Sequence, residues 1–184
     1  MNYIFLADGT EETEALTSID ILRRAGVKLG TVAIKNGERS RVITGAHGIK
    51  IEADFMESEI KADDVSLVIL PGGMPGSVNL NNSKLVHKAL DNCIKNDGVV
   101  CAICAAPFIL GERGDLKGRC ACCYPGFEEH LKGAKVMNKS VVVDRNIITA
   151  NGVSSALEFA LEICELVCGK DKTNKVKSDI LWKK

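Results

Sequence analysis

The sequence predicts an α/β fold, a parallel or mostly parallel sheet with helices on both faces. Three observations predict it. Short apolar runs of strand length alternate with longer segments whose apolar residues recur at helical spacing. Several of the short runs stop abruptly in turns rich in glycine, proline or alanine. The 184 residues, 46% apolar and 26% charged, suffice for one domain over residues 1–184 with a real core. Alternation of this kind places crossover helices between parallel strands.

The elements follow in order. Tyr3–Ala7 is a buried strand. Residues 11–25 carry Ala15, Leu16, Ile19 and Leu22 at helical spacing, and Gly26 stops the helix. Residues 27–34 give a second strand. Val42–Ile43 and Ile49–Ile51 flank Thr-Gly-Ala-His-Gly, a hairpin-like excursion. Residues 65–70 form an apolar strand that ends in Pro71-Gly72-Gly73-Met74-Pro75-Gly76. Ser83 caps a helix running to about Asn96. Val99–Ala102 is the next buried strand, and residues 105–110 read as helix. Val136, residues 141–143 and residues 147–149 give short strands around turns. Residues 154–168 form a helix, and the Lys-rich end forms a last surface helix anchored by Ile180, Leu181 and Trp182.

Composition excludes several classes. Lys plus Arg equals Asp plus Glu at 24 each, so the net charge is zero. A dedicated nucleic-acid binder carries a basic excess, so no nucleic-acid partner is expected. The basic end (Lys170, Lys172, Lys175, Lys177, Lys183, Lys184) reads as a solvated helix. The longest uncharged stretch, Val99 to Gly111, contains Pro107 and is too short to span a bilayer. The start shows no basic region or cleavage site of a secretory signal, so a cytoplasmic location is expected and the eight cysteines read as reduced thiols. Cys93, Cys164 and Cys168 sit in helical patterns as core filler.

The chemistry should sit at the carboxyl ends of the strands. Three ends converge if the strands are parallel: Asp8-Gly9-Thr10-Glu11-Glu12-Thr13-Glu14, Pro71-Gly72-Gly73, and Ile103-Cys104-Ala105-Ala106-Pro107. Cys104 lies where a strand meets a helix, the arrangement of a nucleophile elbow. The helix N-terminus there favours thiolate, which predicts a lowered thiol pKa. Backbone N–H groups of Gly73 and Ala105 are placed to stabilise an oxyanion. A buried structural thiol fits the spacing equally well. Glu11 and Glu12 read as charges complementing the helix dipole. Glu14 faces the proposed cleft; a partly dry pocket beside a thiolate would raise its pKa and let it donate to the sulfur or shuttle a proton. Pro-Gly-Gly lacks the Gly-Lys-Ser/Thr of a phosphate loop and the G-x-G-x-x-G of a dinucleotide fingerprint. Cys120, Cys122, Cys123 and His130 hold metal-binding atoms, but C-x-C-C is not the usual paired spacing. Cys101 and Cys104 have thioredoxin-like spacing, yet Cys101 falls inside a strand. No metal and no cofactor is expected.

Together these segments resemble the ThiJ/PfpI superfamily, in the branch of the parkinsonism-associated protein deglycase (DJ-one). The resemblance rests on residues 5–15, Asp20–Gly26, Val68–Gly76, Cys101–Pro107, Tyr124-Pro-Gly-Phe127 and Ile148–Gly152. It implies a flavodoxin-like α/β/α sandwich akin to class I glutamine amidotransferase domains, usually a homodimer. It makes Cys104 the reactive elbow cysteine, Glu14 its carboxyl partner, and Gly73 and Ala105 the backbone donors. The activity it implies is a cysteine-dependent, glutathione-independent glyoxalase or protein deglycase acting on glyoxal or methylglyoxal, with a role in oxidative and carbonyl stress. The alternative is a redox-sensing stress-response protein or chaperone whose elbow cysteine oxidises to sulfinate. Where the family often places a His before a proline, this chain has Tyr124, so peptidase activity is not expected. Cys123, beside it, is a candidate resolving thiol for an oxidised Cys104, although disulfide geometry favours a packed thiol. His47 stands where relatives can carry an Arg near the dimer interface, as a possible pocket residue or a solvated loop His.

Overall fold

A computed structural model describes residues 1–183. The elements are β1 (Asn2–Ala7), α1 (Glu12–Arg24), β2 (Leu29–Ile34), β3 (Val42–Thr44), β4 (Lys50–Glu52), β5 (Phe55–Met56), β6 (Leu67–Leu70), α2 (Gly76–Asn81), α3 (Lys84–Lys95), β7 (Val99–Ile103), α4 (Pro107–Arg113), β8 (Cys120–Ala121), β9 (Lys135–Val136), β10 (Val141–Asp144), β11 (Ile147–Ala150), α5 (Ala156–Cys168) and α6 (Lys170–Asp179). Seven strands form the central sheet in the order β10-β11-β7-β6-β1-β2-β5. All neighbours are parallel except β10 and β11, which pair antiparallel. The arrangement is flavodoxin-like. Small ribbons β3–β4 and β8–β9 stand outside the sheet.

The core divides into two clusters, one on each sheet face. On one face Ile4, Leu6 and Ile69 meet Ala15, Leu22, Phe159 and Ile163 from α1 and α5. On the other, Phe5, Val68 and Leu70 meet Leu80, Leu90 and Ile109 from α2, α3 and α4. Alternating residues of β1 and β6 thus feed opposite faces, as strand pleating requires. Because these strands are covered on both sides, they read as unbroken apolar runs.

Some expectations shift. Leu16 points outward; the stripe α1 buries is Ala15, Ser18, Ile19, Ile21 and Leu22. The turn after β7 delays helix α4 to Pro107, whose missing N–H suits a first helical position. Helix α2 and the edge strand β5 were not legible, being only six and two residues long. Thr173 and Val176 are buried and fix α6, with Ile180 and Trp182 packed beside them, whereas Leu181 is 82% exposed and anchors nothing. Lys184 lies outside the described residues. Among those described, no helix is long and apolar enough to cross a membrane.

Position follows from the strand order. From β1 the chain steps to β2 on one side, then returns to place β6 on the other. The loops leaving β1 and β6 therefore diverge, and a crevice opens above their carboxyl ends.

Candidate active site

Cys104 sits immediately after β7 with φ +64°, in the left-handed region that non-glycine residues seldom occupy. The strain is held by neighbours. Its N–H donates to Ala150 O at 2.9 Å, and its carbonyl accepts from Tyr124 N at 2.7 Å. Anchored on both sides, the elbow projects the half-buried thiol toward the crevice. The N–H groups of Gly73 and Ala105 donate to the sulfur.

Glu14 reaches the sulfur from the first turn of α1. Glu11 caps that helix: its carboxylate accepts the Glu14 N–H at 2.7 Å. The Glu14 side chain is fully buried. Its Oε2 accepts the Gly72 N–H at 2.8 Å. Its Oε1 is buried and accepts no hydrogen bond, and the carboxyl lies beside Cys104, close enough to interact with the thiol electrostatically. The Glu11 N–H donates back to Gly72 O at 2.9 Å, so the β1 and β6 loops hold each other in register.

Gly72 is the spacer. A Cβ there would stand 2.5 Å from Cys104 Cβ and 2.6 Å from Glu14 Oε2, closer than real contacts allow. Gly73 carries φ +90°, which turns its N–H toward the sulfur at no steric cost.

Burial raises the Glu14 pKa to about 7, helped by the Glu11 charge and opposed by the Gly72 N–H. Once Glu14 is ionised, burial and that charge push the Cys104 thiol up to about 12, against the pull of the Gly73 and Ala105 donors. The lowered thiol pKa expected from the sequence is thereby corrected: burial first, and then the nearby carboxylate, outweigh two backbone dipoles, and α4 starts three residues further on. The titrations belong to the pair. The pair loses its first proton near pH 7, from Glu14, and then carries one negative charge on the carboxylate while the sulfur keeps its proton.

The other candidates lie elsewhere. Cys123 packs in the core cluster of the opposite face, among Phe108 and Leu131, with its thiol pushed up to about 12, first by burial. It lines a pocket of about 260 Å³ with Pro125, Glu128, Met137, Lys139 and Asn151, which Cys104 does not line. Tyr124 is half exposed and lies over Gly152. His47 bonds Glu12 through Nδ1 at 2.8 Å instead of entering the crevice. His87 meets Arg113 and Asn81 O, and His130 meets Glu112. All three histidines of the chain are thus engaged away from the sulfur. Cys122 bonds Thr149 O at 3.3 Å, and Cys101 is fully enclosed in β7. No metal-ligating group of three forms around Cys120, Cys122, Cys123 and His130 among the described residues.

Two outcomes are expected for Glu14→Gln. The midpoint of iodoacetamide labelling at Cys104 lies well above the ordinary thiol value in the parent, because burial and the ionised Glu14 oppose the thiolate. In the variant it moves down toward the ordinary thiol value of about 8.5, since burial then acts on the sulfur without the neighbouring charge; an unmoved midpoint refutes the coupling. Stability should also change with pH. The folded value of about 7 lies above the ordinary 4.5, so the parent's contribution from Glu14 is complete below pH 4.5 and lost as pH rises through 7. The gap is worth about 3 kcal/mol. Glu14→Gln should therefore gain on the parent by roughly 1–3 kcal/mol between pH 4.5 and pH 8 in denaturant melts. A difference independent of pH would contradict it.

Comparison with known proteins agrees with this geometry. The model of the DJ-1/PfpI family matches residues 2–166. The chain is 35% identical over 180 residues to Protein dj-1beta of Drosophila melanogaster, covering 97% of this chain and 95% of that one. It is 37% identical to Protein DJ-1 homolog A of Arabidopsis thaliana over 96% of its own length, but spans only 45% of that longer protein. It is 30% identical over 92% of its length, and 89% of the other, to a Caenorhabditis elegans protein named glutathione-independent glyoxalase DJR-1.2. The structure of oxidised Toxoplasma gondii DJ-1 superposes with a TM-score of 0.92 at 30% identity, covering 99% and 98% of the two chains. A cysteine elbow facing a buried acid, on a sheet of this topology and with these relatives, places the chain in the DJ-1/PfpI family.

Proposed function

We propose that the protein is a cysteine-dependent, glutathione-independent glyoxalase converting methylglyoxal or glyoxal to a hydroxy acid. The observation that carries this reading is the buried Glu14 carboxyl set beside the Cys104 thiol across Gly72. A relative named glutathione-independent glyoxalase supports it.

The chemistry proceeds on these groups. Sulfur adds to the aldehyde carbon as the thiol proton passes to Glu14, which hands it to the new alkoxide oxygen to give a hemithioacetal and is ionised again. The Gly73 and Ala105 N–H groups, which already face the sulfur, hold developing negative charge beside it. The ionised Glu14 removes the proton on the former aldehyde carbon to give an enediol and returns it to the adjacent carbon, while the hydroxyl proton passes from the first oxygen to the second. The product is an S-lactoyl thioester of Cys104. Water hydrolyses it, releasing lactate and restoring the thiol. The sum is methylglyoxal plus water giving lactic acid, with no redox partner. An acid titrating near 7 suits a group that must accept and return protons at neutral pH. The deglycase effect is then consumption of free dicarbonyl in equilibrium with early adducts. The proposal includes a homodimer working in the cytoplasm under carbonyl stress, with small dicarbonyls rather than nucleic acids or membranes as partners. Peptidase chemistry is disfavoured because no histidine pairs with Cys104.

A second reading is oxidation of the same sulfur, with peroxide as oxidant: one equivalent converts thiolate to sulfenate and a second gives sulfinate. The half-exposed thiol supports it.

Cys104→Ala should abolish lactate formation from methylglyoxal, followed by a lactate-specific assay, and Glu14→Ala should lower it by about 10²–10⁴-fold. Full activity in either variant would end the mechanism. Mild peroxide should give Cys104 sulfinate by mass spectrometry without a Cys104–Cys123 linked peptide, because Cys123 is buried among Phe108 and Leu131. A linked peptide in high yield would overturn that placement.

A further inference from the structure

We propose that Glu11 is a positioning residue for the reaction: with Gly72 it forms an opened capping box that turns Glu14 away from its own helix and toward Cys104, and it faces that acid with a like charge. The kinetic consequence rests on the glyoxalase reading; the arrangement itself rests on geometry.

In a closed capping box the cap side chain accepts the N–H of the third helical residue, and a glutamate at that third position reaches back to the cap's own N–H. Helix α1 has Glu11 at the cap and Glu14 at the third position. Only half of the box closes directly: Glu11 Oε2 accepts the Glu14 N–H at 2.7 Å. The return bond runs through Gly72 instead. The Glu11 N–H donates to Gly72 O at 2.9 Å, and the Gly72 N–H donates to Glu14 Oε2 at 2.8 Å. Three hydrogen bonds thus close a ring of Glu11, Glu14 and Gly72. The inserted residue draws the Glu14 carboxyl off the end of its helix and sets it at the elbow, where a Cβ on Gly72 would meet Glu14 Oε2 and Cys104 Cβ together. Neighbours fix the ring. Thr10 Oγ1 accepts the Ala7 N–H at 3.0 Å, and Gly73 packs so close that a Cβ there would lie 2.4 Å from Glu11 N.

The residue type gives a second reason. Ser, Thr, Asp and Asn are the preferred caps, and a neutral one could hold the same ring. Glutamate adds a charge. Among the described residues, the charged or titratable groups acting on Glu14 are Glu11 on its own helix and Cys104 at the elbow, while the β6 loop contributes only the Gly72 N–H. Glu11 is itself 14% exposed on its side chain and faces His47 of the hairpin at 3.9 Å, a ring already bonded to Glu12 at 2.8 Å. A like charge in so poorly solvated a setting opposes ionisation of Glu14. Glu11 therefore both aims the acid and helps it keep a proton to give back at neutral pH.

The test compares Glu11→Asp, which keeps cap and charge, with Glu11→Asn, which keeps the cap alone; both residues are good caps, so the fold should hold, and circular dichroism checks it. The Glu14 carboxyl is titrated by carbon NMR on protein labelled at the glutamate carboxyl carbon, its signal assigned by its loss in Glu14→Gln. The parent midpoint is expected at about 7, that of Glu11→Asn displaced toward the ordinary 4.5, and that of Glu11→Asp restored toward the parent. The acid limb of kcat for lactate formation should move the same way, and Glu11→Ala, which loses the ring as well, should lower kcat by roughly tenfold or more with KM little changed. A Glu11→Asn midpoint equal to the parent's would overturn the inference. If the midpoint moves as expected but neither parent nor variant forms lactate, the glyoxalase reading fails and the role of Glu11 stands.

Discussion

The structure depends on how closely three strand ends can approach one another. Cys104, Glu14 and Gly72 belong to segments far apart in the chain, and the parallel sheet brings them to one edge. The limiting contact is at Gly72, where any side chain would collide with both the thiol-bearing carbon and the carboxylate. Removing one Cβ from the middle of the site lets an acid and a sulfur become close neighbours. The same residue's N–H then satisfies the second carboxylate oxygen. Spacer and support are one peptide unit.

That closeness dictates the electrostatics. A carboxyl with no solvent contact and another glutamate nearby is poorly placed to ionise, so its proton stays to near-neutral pH. A thiol beside it is equally poorly placed to hold a second charge. The pair admits one negative charge, which rests on the carboxylate. Backbone strain at Cys104 completes the arrangement. An elbow in the left-handed region keeps the sulfur out of the sheet, where the equivalent alternating residue would be sealed in the core. Cys101, three residues earlier in the same strand, shows the contrast: it is fully buried and inert, its thiol held well above the ordinary value by burial.

Much of this was legible in the sequence. Unbroken apolar runs ending in Pro-Gly-Gly or Cys-Ala-Ala-Pro mark doubly covered strands and the loops that leave them. Parallel pairing then places residues 14, 73 and 104 together. Three things were not legible, each for a physical reason. The direction of the Cys104 shift turns first on the burial of the thiol, then on a carboxylate ninety residues away. Leu16 fits the helical period but faces outward, because α1 turns its Ala15–Ile19–Leu22 side to α5 and the sheet. The side to which Cys123 turns depends on the short β8–β9 ribbon, too brief to carry a period of its own.

The acidic run at the start of α1 shows how one sequence signal divides in three dimensions. As sequence, Glu11, Glu12 and Glu14 are equivalent complements to a helix dipole. In the fold each turns a different way. Glu11 folds back to cap its own helix. Glu12 turns outward to the hairpin and binds it through backbone and imidazole. Glu14 points inward to the sulfur. Successive helix positions lie about 100° apart, so residues 12 and 14 face nearly opposite ways while sharing one turn. The dipole lowers the cost of gathering three carboxylates there, and the helical period assigns them to capping, strapping and proton transfer. A charge that serves the helix at its surface thus becomes, two residues on, the acid of the reaction.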